Sequence, residues 1–555
     1  MKQKLPLITL LLLSMLLGSF ITKLADDKVI TLDVIKQAEK LIGLEFTSTE
    51  ADSMITKLTD SRSSYERMRK ASLSNDVAPS LYFNPLPIGF EFEKERKPFK
   101  ASVIGKVMLP QNRDELAFFT VRELAELIRS KQITSLELTK FFLERLKKYN
   151  PQLLNVISLT EELALKQAAQ ADADLKAGQY HGLLHGIPYG AKDLLAVKGY
   201  KTTWGSGAHQ DQTIDQDAIV IQRLQKAGAV LCAKLTMGEL AMGDVWFGGK
   251  TKNPWDTKRG SSGSSAGSAS SVAAGCLPFA IGTETLGSIV SPSTECGTTG
   301  LRPTYGRVPR TGAMALSWSM DKIGPICRSV EDCAIVFNAI QGVDGQDLTL
   351  MNAPFNYNGS QTSLKGMRIG YVKKDFETRY AGKAADSLTL ITLQQLGAEL
   401  VPMELPVFPA RDMTLIIGVE GATAFDEMTR SNADDKLVQQ WKWNWSNQFR
   451  AARFVPAVEY LQANRLRTQL IQEMDKRLRE AQVDVYITPS FSGSGNLQIT
   501  NLTGHPCVVL PNGFRAENRP LSITFMGKLF GEAKLLQVAK AYQDATIFHK
   551  KHPTL

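Results

Sequence analysis

The stretch that decides the fold runs from Arg259 to Gly312: "RGSSGSSAGSASSVAAGCLPFAIGTETLGSIVSPSTECGTTGLRPTYGRVPRTG". Its first third has the composition of a flexible glycine–serine linker. Its continuation excludes that reading. "SAGSASSVAAG" runs straight into "CLPFAIG", the pattern of a buried strand, and linkers do not run inside a core. Small residues let a helix and loops pack closely, and glycines expose backbone N–H groups. Both suit a site that stabilises an anion. A second strand-to-loop transition comes next at "FAIG-TETLGS-IV", where Thr285, Leu286, Gly287 and Ser288 can present consecutive N–H groups in a nest. A serine at the end of such a nest is placed for nucleophilic attack, with its own N–H helping to hold an oxyanion.

The flanking sequence predicts an α/β fold. "TVRE" (Thr120 to Glu123) and "TSLE" (Thr134 to Glu137) have capping-box spacing and announce two helices, the second running to "LKKYN" before Pro151. "AIVIQRLQKAG" reads as a helix stopped by Gly228, followed by the strand "AVLCAKL". The pattern recurs as strand "MRIGYV", helix "AADSLTLITLQQLG" stopped by Gly397, and strand "AELVPMEL". "VDVYITPSF", "HPCVVLPNGF" and "LSITFMGK" supply further strands. Strands alternating with helices imply a large, mixed or parallel sheet covered on both faces. Residues 411–480 differ in character, with Trp441, Trp443, Trp445 and a long helix beginning near Pro456; plain packing and a substrate entrance are both open for them.

At 555 residues, 43% apolar and 22% charged, the chain can bury a sizeable core. The net charge of +9 does not point to nucleic acid, because the basic residues are interspersed with acids, as in "EKERK" and "DKRLRE". "MKQK" followed by a 17-residue apolar run (residues 5–21) reads as a secretory signal or a membrane anchor over residues 1–25, so an exported, periplasmic or secreted chain is expected. A membrane is a partner only if that segment is uncleaved. Residues 26–110 read as a helical N-terminal extension: amphipathic over 27–75, then a loop rich in proline and aromatics, "APSLYFNPLPIGFEF". The main domain spans 111–555. Cys232, Cys276, Cys296, Cys327, Cys333 and Cys507 lack metal spacing and are too few for a disulfide scaffold. They read as buried small hydrophobes, with a Cys327–Cys333 bridge left open. "DVWFGGKT" (Asp244 to Thr251) misses a phosphate loop, which needs glycine at Asp244.

A serine nucleophile needs a base. Of six histidines, His549 and His552 lie in the tail, while His185 and His505 sit in the turn-like "HGIP" and "GHP". A Ser–His–Asp triad stays open, although no "GxSxG" elbow occurs. The second candidate is Lys192, alone among apolar residues in "HGIPYGAKDLL". Desolvation can lower the pKa of such an amine and leave it free at neutral pH. Serine–lysine catalysis is a known variant of the triad logic.

Five motifs in order resemble the amidase signature family: "GIPYGAKD", "KNPWD" (Lys252 to Asp256), "GSSAGSASSVAAG", "GTETLGSIVSP" and "GLRPTYGRVPRTG" (Gly300 to Gly312), with "LTGHPCVVLPNGF" similar as well. The resemblance covers about residues 115–545. It implies a Ser–cis-Ser–Lys triad that falls on Ser288 as nucleophile, Ser264 as bridge and Lys192 as base, with a cis peptide bond between Gly263 and Ser264. The family's oxyanion hole falls on the backbone N–H groups of Thr285, Leu286, Gly287 and Ser288. Asp193, Ser265 and Glu284 are expected to support the site. No metal and no cofactor are implied. The expected function is hydrolysis of a small amide or amidated peptide.

Two positions depart from the family text. Leu286 stands for a glycine and would be strained if that position needed positive φ. Val290 stands for an arginine, which weakens the case for a carboxylate-bearing substrate. Two other functions remain in view: a catalytically impaired binding protein on the same fold, and the glutaminase subunit of a tRNA-dependent amidotransferase, which an export signal and the missing arginine disfavour.

Overall fold

Eleven strands form one mixed sheet: β1 (Val156–Leu159), β2 (Pro188–Lys192), β3 (Val230–Leu235), β4 (Phe279–Glu284), β5 (Thr299–Arg302), β6 (Lys322–Cys327), β7 (Arg368–Val372), β8 (Glu399–Met403), β9 (Val485–Pro489), β10 (Cys507–Phe514) and β11 (Pro520–Gly527). In this computed structural model, which describes residues 30–555 except Ser72 and Ser492, their order is β1-β3-β2-β4-β6-β5-β10-β11-β9-β7-β8. β3, β2 and β4 are parallel neighbours; β4 and β6 pair antiparallel, as do the strands from β6 through β9; β9, β7 and β8 are parallel again. Every residue of β2, β3, β4 and β6 is buried. A strand with no exposed face needs cover on both sides, which the flanking helices supply.

The local signals hold in detail. Both predicted capping boxes form, Thr120 with Glu123 and Thr134 with Glu137. Gly228 and Gly397 have φ of 81° and 94° just beyond the helices Ile219–Lys226 and Lys383–Gln395. The helix Ser135–Leu153 runs through Pro151 instead of stopping before it, and Leu154 closes it in the left-handed conformation. The glycine–serine stretch contains the helix Ala266–Ala273, every residue of which is buried. All six cysteines are buried and free, including Cys327 and Cys333. "DVWFGGKT" forms a small hairpin, Val245–Trp246 against Gly249–Lys250.

The described residues divide into two compact units: residues 30–74 with Phe454–Ala457, and Asn75–Arg453 with Val458–Leu555. The first holds the helices Leu32–Ile42, capped by Thr31 and Gly43, and Ser48–Met68, with a Thr47–Glu50 capping box. Residues 75–110, grouped with the extension by sequence, belong to the second unit. Asn75 pairs with the backbone of Ala315, and Ser102 donates from N to Glu331 Oε1 at 2.6 Å. The apolar run at residues 5–21 lies outside the described residues. Among the described residues no helix is long and apolar enough to cross a membrane.

Candidate active site

Lys192 ends β2 with its side chain fully buried between the parallel strands and the Ala266–Ala273 helix. Its Nζ lies 2.8 Å from Ser264 Oγ, 2.8 Å from Thr283 Oγ1 and 3.1 Å from Ser265 Oγ. Burial lowers its pKa to about 7, against the opposing pull of Asp321 and Glu284. A neutral amine, with two protons to donate and one lone pair, can satisfy these three hydroxyls; the Thr283 carbonyl lies farther off, at 3.5 Å. Ser265 donates its hydroxyl proton to the Thr283 carbonyl (3.0 Å) and takes the Thr283 N–H (3.1 Å), so toward the amine it accepts. In the neutral form a second donated bond to Thr283 Oγ1 leaves the lone pair free to take the proton of Ser264.

Ser264 follows a cis peptide bond from Gly263, the one place among the described residues where a cis bond occurs. A Cβ on Gly263 would lie 1.8 Å from the Gly243 carbonyl oxygen, so only glycine fits there. The Ser264 carbonyl accepts from the Gly238 N–H (3.2 Å), and the Ser265 N–H donates to the Ser288 carbonyl (3.2 Å), which ties the Ser264 segment to the Ser288 loop. Among the described residues, Ser264 Oγ and Ser288 Oγ do not hydrogen-bond to each other.

The loop after β4 carries Ser288 just ahead of the helix Val290–Cys296. Gly287 has φ of 83°, whereas Leu286 is not among the positive-φ residues, so the leucine is accommodated without left-handed strain. The N–H groups of Ile289 and Val290 both donate to Glu284 Oε2, at 2.9 and 3.0 Å. Glu284 Oε1 accepts from Arg302 (2.7 Å) and Asn501 (2.8 Å). Burial alone would raise the pKa of Glu284; the charge and hydrogen bond of Arg302, with the Val290 amide and Lys322, outweigh it and hold the carboxyl at about 2. Glu284 therefore clamps the loop as a full anion. The preceding N–H groups, of Thr285, Leu286, Gly287 and Ser288, donate to no acceptor among the described residues. Four consecutive unengaged amides beside a serine are the donors that an anion nest requires.

A model of the amidase family matches residues 137–497. The chain belongs to the amidase signature family. This amidase is 34% identical over 484 residues to a glutamyl-tRNA(Gln) amidotransferase subunit of Coxiella burnetii (strain Dugway 5J108-111), covering 79% of this chain and 99% of the relative. It is similar to the crystal structure of native peptide amidase from Stenotrophomonas maltophilia, with 29% identity, a TM-score of 0.70, and 77% of this chain and 96% of that one covered. An amidase family protein from Bacillus anthracis str. Ames gives 27% identity and a TM-score of 0.71, over 80% of this chain and 93% of the other. The protein is an amide hydrolase on the mixed sheet that the sequence implies.

The amidase uses the remaining candidates unevenly. Asp193 does not touch the serines. It is buried against Lys234 (2.7 Å) and takes the Thr203 N–H (2.8 Å), a paired charge that braces the turn after Lys192. Two of the histidines are engaged elsewhere: His185 bonds the Ala171 carbonyl (2.9 Å) and His505 bonds Thr503 Oγ1 (2.7 Å). Thr283 escapes a reading of the sequence, since a threonine in a buried strand looks like ordinary β-structure. Lys322 does too. It is buried at the start of β6 and donates to the carbonyls of Met320 and Thr285, and burial drives its pKa well below the ordinary lysine value. A cavity of about 380 Å³ abuts this cluster, with Thr283 and Thr285 in its wall. None of its lining comes from residues 411–480, where Trp445 is buried and donates to the Leu240 carbonyl (2.9 Å) while Trp441 and Trp443 are exposed. No group of three His, Cys, Asp or Glu side chains among the described residues could hold a metal ion.

Proposed function

We propose that this amidase hydrolyses a carboxylic amide through an acyl-enzyme on Ser288. The supporting observation is the buried, neutral-poised amine of Lys192 within 2.8 Å of Ser264 Oγ. Lys192 accepts the proton of Ser264, and Ser264 accepts that of Ser288 as Ser288 Oγ attacks the amide carbonyl. The tetrahedral oxyanion is held by N–H groups from Thr285, Leu286, Gly287 and Ser288; one such donor is worth about 2.7–4 kcal/mol in the transition state. Collapse breaks the C–N bond while the proton returns through Ser264 to the leaving nitrogen. Water then attacks the acyl ester by the same relay, releasing acid and regenerating Ser288. Glu284 acts through the loop that it clamps.

The test is release of ammonia or amine from a panel of short amides and amidated peptides by the full chain, with Ser288→Ala and Lys192→Ala beside it. Turnover abolished in both variants supports the relay, and turnover that survives Ser288→Ala removes Ser288 as nucleophile. The names of the relatives favour one second reading, the glutaminase subunit of a tRNA-dependent amidotransferase. That reading requires partner subunits to co-purify and glutamine to be the preferred amide. The impaired-binding reading rests on Leu286 and Val290; the ordinary φ of Leu286 removes strain at the first as a support for it. The charged start and apolar run of residues 1–25 support export or membrane tethering, testable by fractionating cells that express the full chain.

A further inference from the structure

The cavity beside the catalytic cluster has an unusual mouth. Residues 76–83 cross it as a strap that is pinned at both ends. At one end Asn75 pairs with Ala315 through two hydrogen bonds, 2.7 Å from the Ala315 N–H and 2.9 Å to its carbonyl. At the other the Phe83 ring lies 3.4 Å beneath the Arg467 guanidinium and edge-on to Tyr305 at 5.0 Å. Arg467 is itself fixed by Ser319, at 2.9 Å to both Oγ and O. Between these anchors Leu81 and Tyr82 line the cavity, yet remain 74% and 50% exposed. Large apolar side chains held open to solvent over a cavity, on a segment immobilised at both ends, have the form of a binding wall.

The rest of the lining defines what the wall meets. Leu194, Met314, Leu316 and Trp318 add apolar surface. Four of the charged groups in the wall, Arg310, Asp347, Asp321 and Lys322, are already engaged. Arg310 holds Asp347 through two nitrogens, at 2.9 and 3.1 Å. Asp321 takes the Thr285 hydroxyl (2.6 Å) and the N–H groups of Leu316 (2.8 Å) and Ser317 (2.9 Å). Lys322 donates to two carbonyls. A ligand in this cavity is therefore not required to bring a charge. The volume of about 380 Å³ corresponds to roughly a dozen waters at about 30 Å³ each, enough for a medium alkyl chain or an aryl group. Thr283 and Thr285 connect the cavity to the reaction: the first touches the amine of Lys192 and the second begins the nest that ends at Ser288.

We infer that Leu81 and Tyr82 are specificity-determining contacts of this amidase, receiving an extended apolar alkyl or aryl group attached to the scissile carbonyl. The inference rests on Ser288 being the nucleophile. Because both side chains are already exposed, replacing them leaves the fold intact.

The experiment compares labelling of Ser288 in the full chain by two fluorophosphonates, one bearing a decyl group and one an ethyl group, with Ser288→Ala as baseline. The wild type is expected to react at least about tenfold faster with the decyl probe, the scale of discrimination that a few buried methylenes provide. In the Leu81→Ser/Tyr82→Ser double variant, the decyl rate should fall about tenfold while the ethyl rate stays within about twofold. A double variant that keeps the full decyl preference, or a wild type without one, overturns the inference and leaves the amidase reading standing. Failure of both probes to label Ser288 overturns the nucleophile assignment and the inference together.

Discussion

Replacing Lys192 by methionine reports on the charge state of the amine separately from catalysis. Burial lowers the Lys192 pKa from 10.5 to about 7. The unfolded chain keeps the ordinary value, so between those two pH values the unfolded state binds a proton that the native state does not. Stability must therefore rise with pH across that window, with a limiting slope of about 1.4 kcal/mol per pH unit. Below about pH 7 both states are protonated and the penalty is complete and constant. Methionine has similar bulk and does not titrate. Subtracting the variant's unfolding free energy from that of the wild type cancels the other ionising groups. The loss of the amine as partner to Ser264 and Thr283 adds an offset of about 1–3 kcal/mol per hydroxyl, but this is independent of pH. The difference should thus climb by about 3–4 kcal/mol between about pH 7 and about pH 10 and be nearly flat below. Urea unfolding of both proteins at intervals of about one pH unit measures it. A difference that stays flat throughout means that Lys192 is an ordinary ammonium at neutral pH, unable to accept a proton, and the relay reasoning is refuted.

Three further outcomes rest on the same geometry. The kcat/KM for any good amide should fall as pH drops through about 7, because the amine must be neutral to act; a profile flat down to about pH 5 contradicts the assignment. Glu284→Gln keeps size and an acceptor for the Ile289 and Val290 amides but leaves buried Arg302 without its counter-charge, so unfolding measurements should show a loss of about 3–5 kcal/mol. Leu286→Gly should leave kcat within about threefold and cost up to about 1 kcal/mol of stability, because the leucine occupies an ordinary conformation; a large gain in kcat would show that the leucine does impede the oxyanion loop.

The legibility of this protein in its sequence varies with the range of the forces involved. Helix caps at Thr120 and Thr134 and the stops at Gly228 and Gly397 are local, and they are readable because each rests on residues within a few positions. The glycine–serine stretch is readable as core only through the apolar strand pattern that succeeds it, since small residues beside a buried strand mean close packing. Lys192 stands out as a charge in an apolar run, and its apposition to Ser264 across 72 residues is the consequence of β2 and the Ala266–Ala273 helix packing together. Thr283 cannot be distinguished, because its value lies in where β4 presents it, not in its type. Asp193 shows the converse. Adjacency to Lys192 suggests a role in the site, but successive strand-end side chains diverge, and its charge is matched by Lys234 on the neighbouring strand β3. The anchoring of residues 75–83 is hidden from the sequence for a similar reason. Asn75 and Phe83 are tied to partners more than 200 residues away, and a proline-rich loop gives no local sign of such anchors.

The proposed relay requires Ser288 to become acylated during amide turnover. The most direct test is mass spectrometry of the full chain, acid-quenched while hydrolysing an amide from the active panel, followed by peptide mapping. The acyl group should be found on the peptide carrying Ser288, and Lys192→Met should accumulate none. Turnover with the acyl group on another residue, or sustained turnover with no acylated protein under conditions where deacylation limits the rate, would contradict the account.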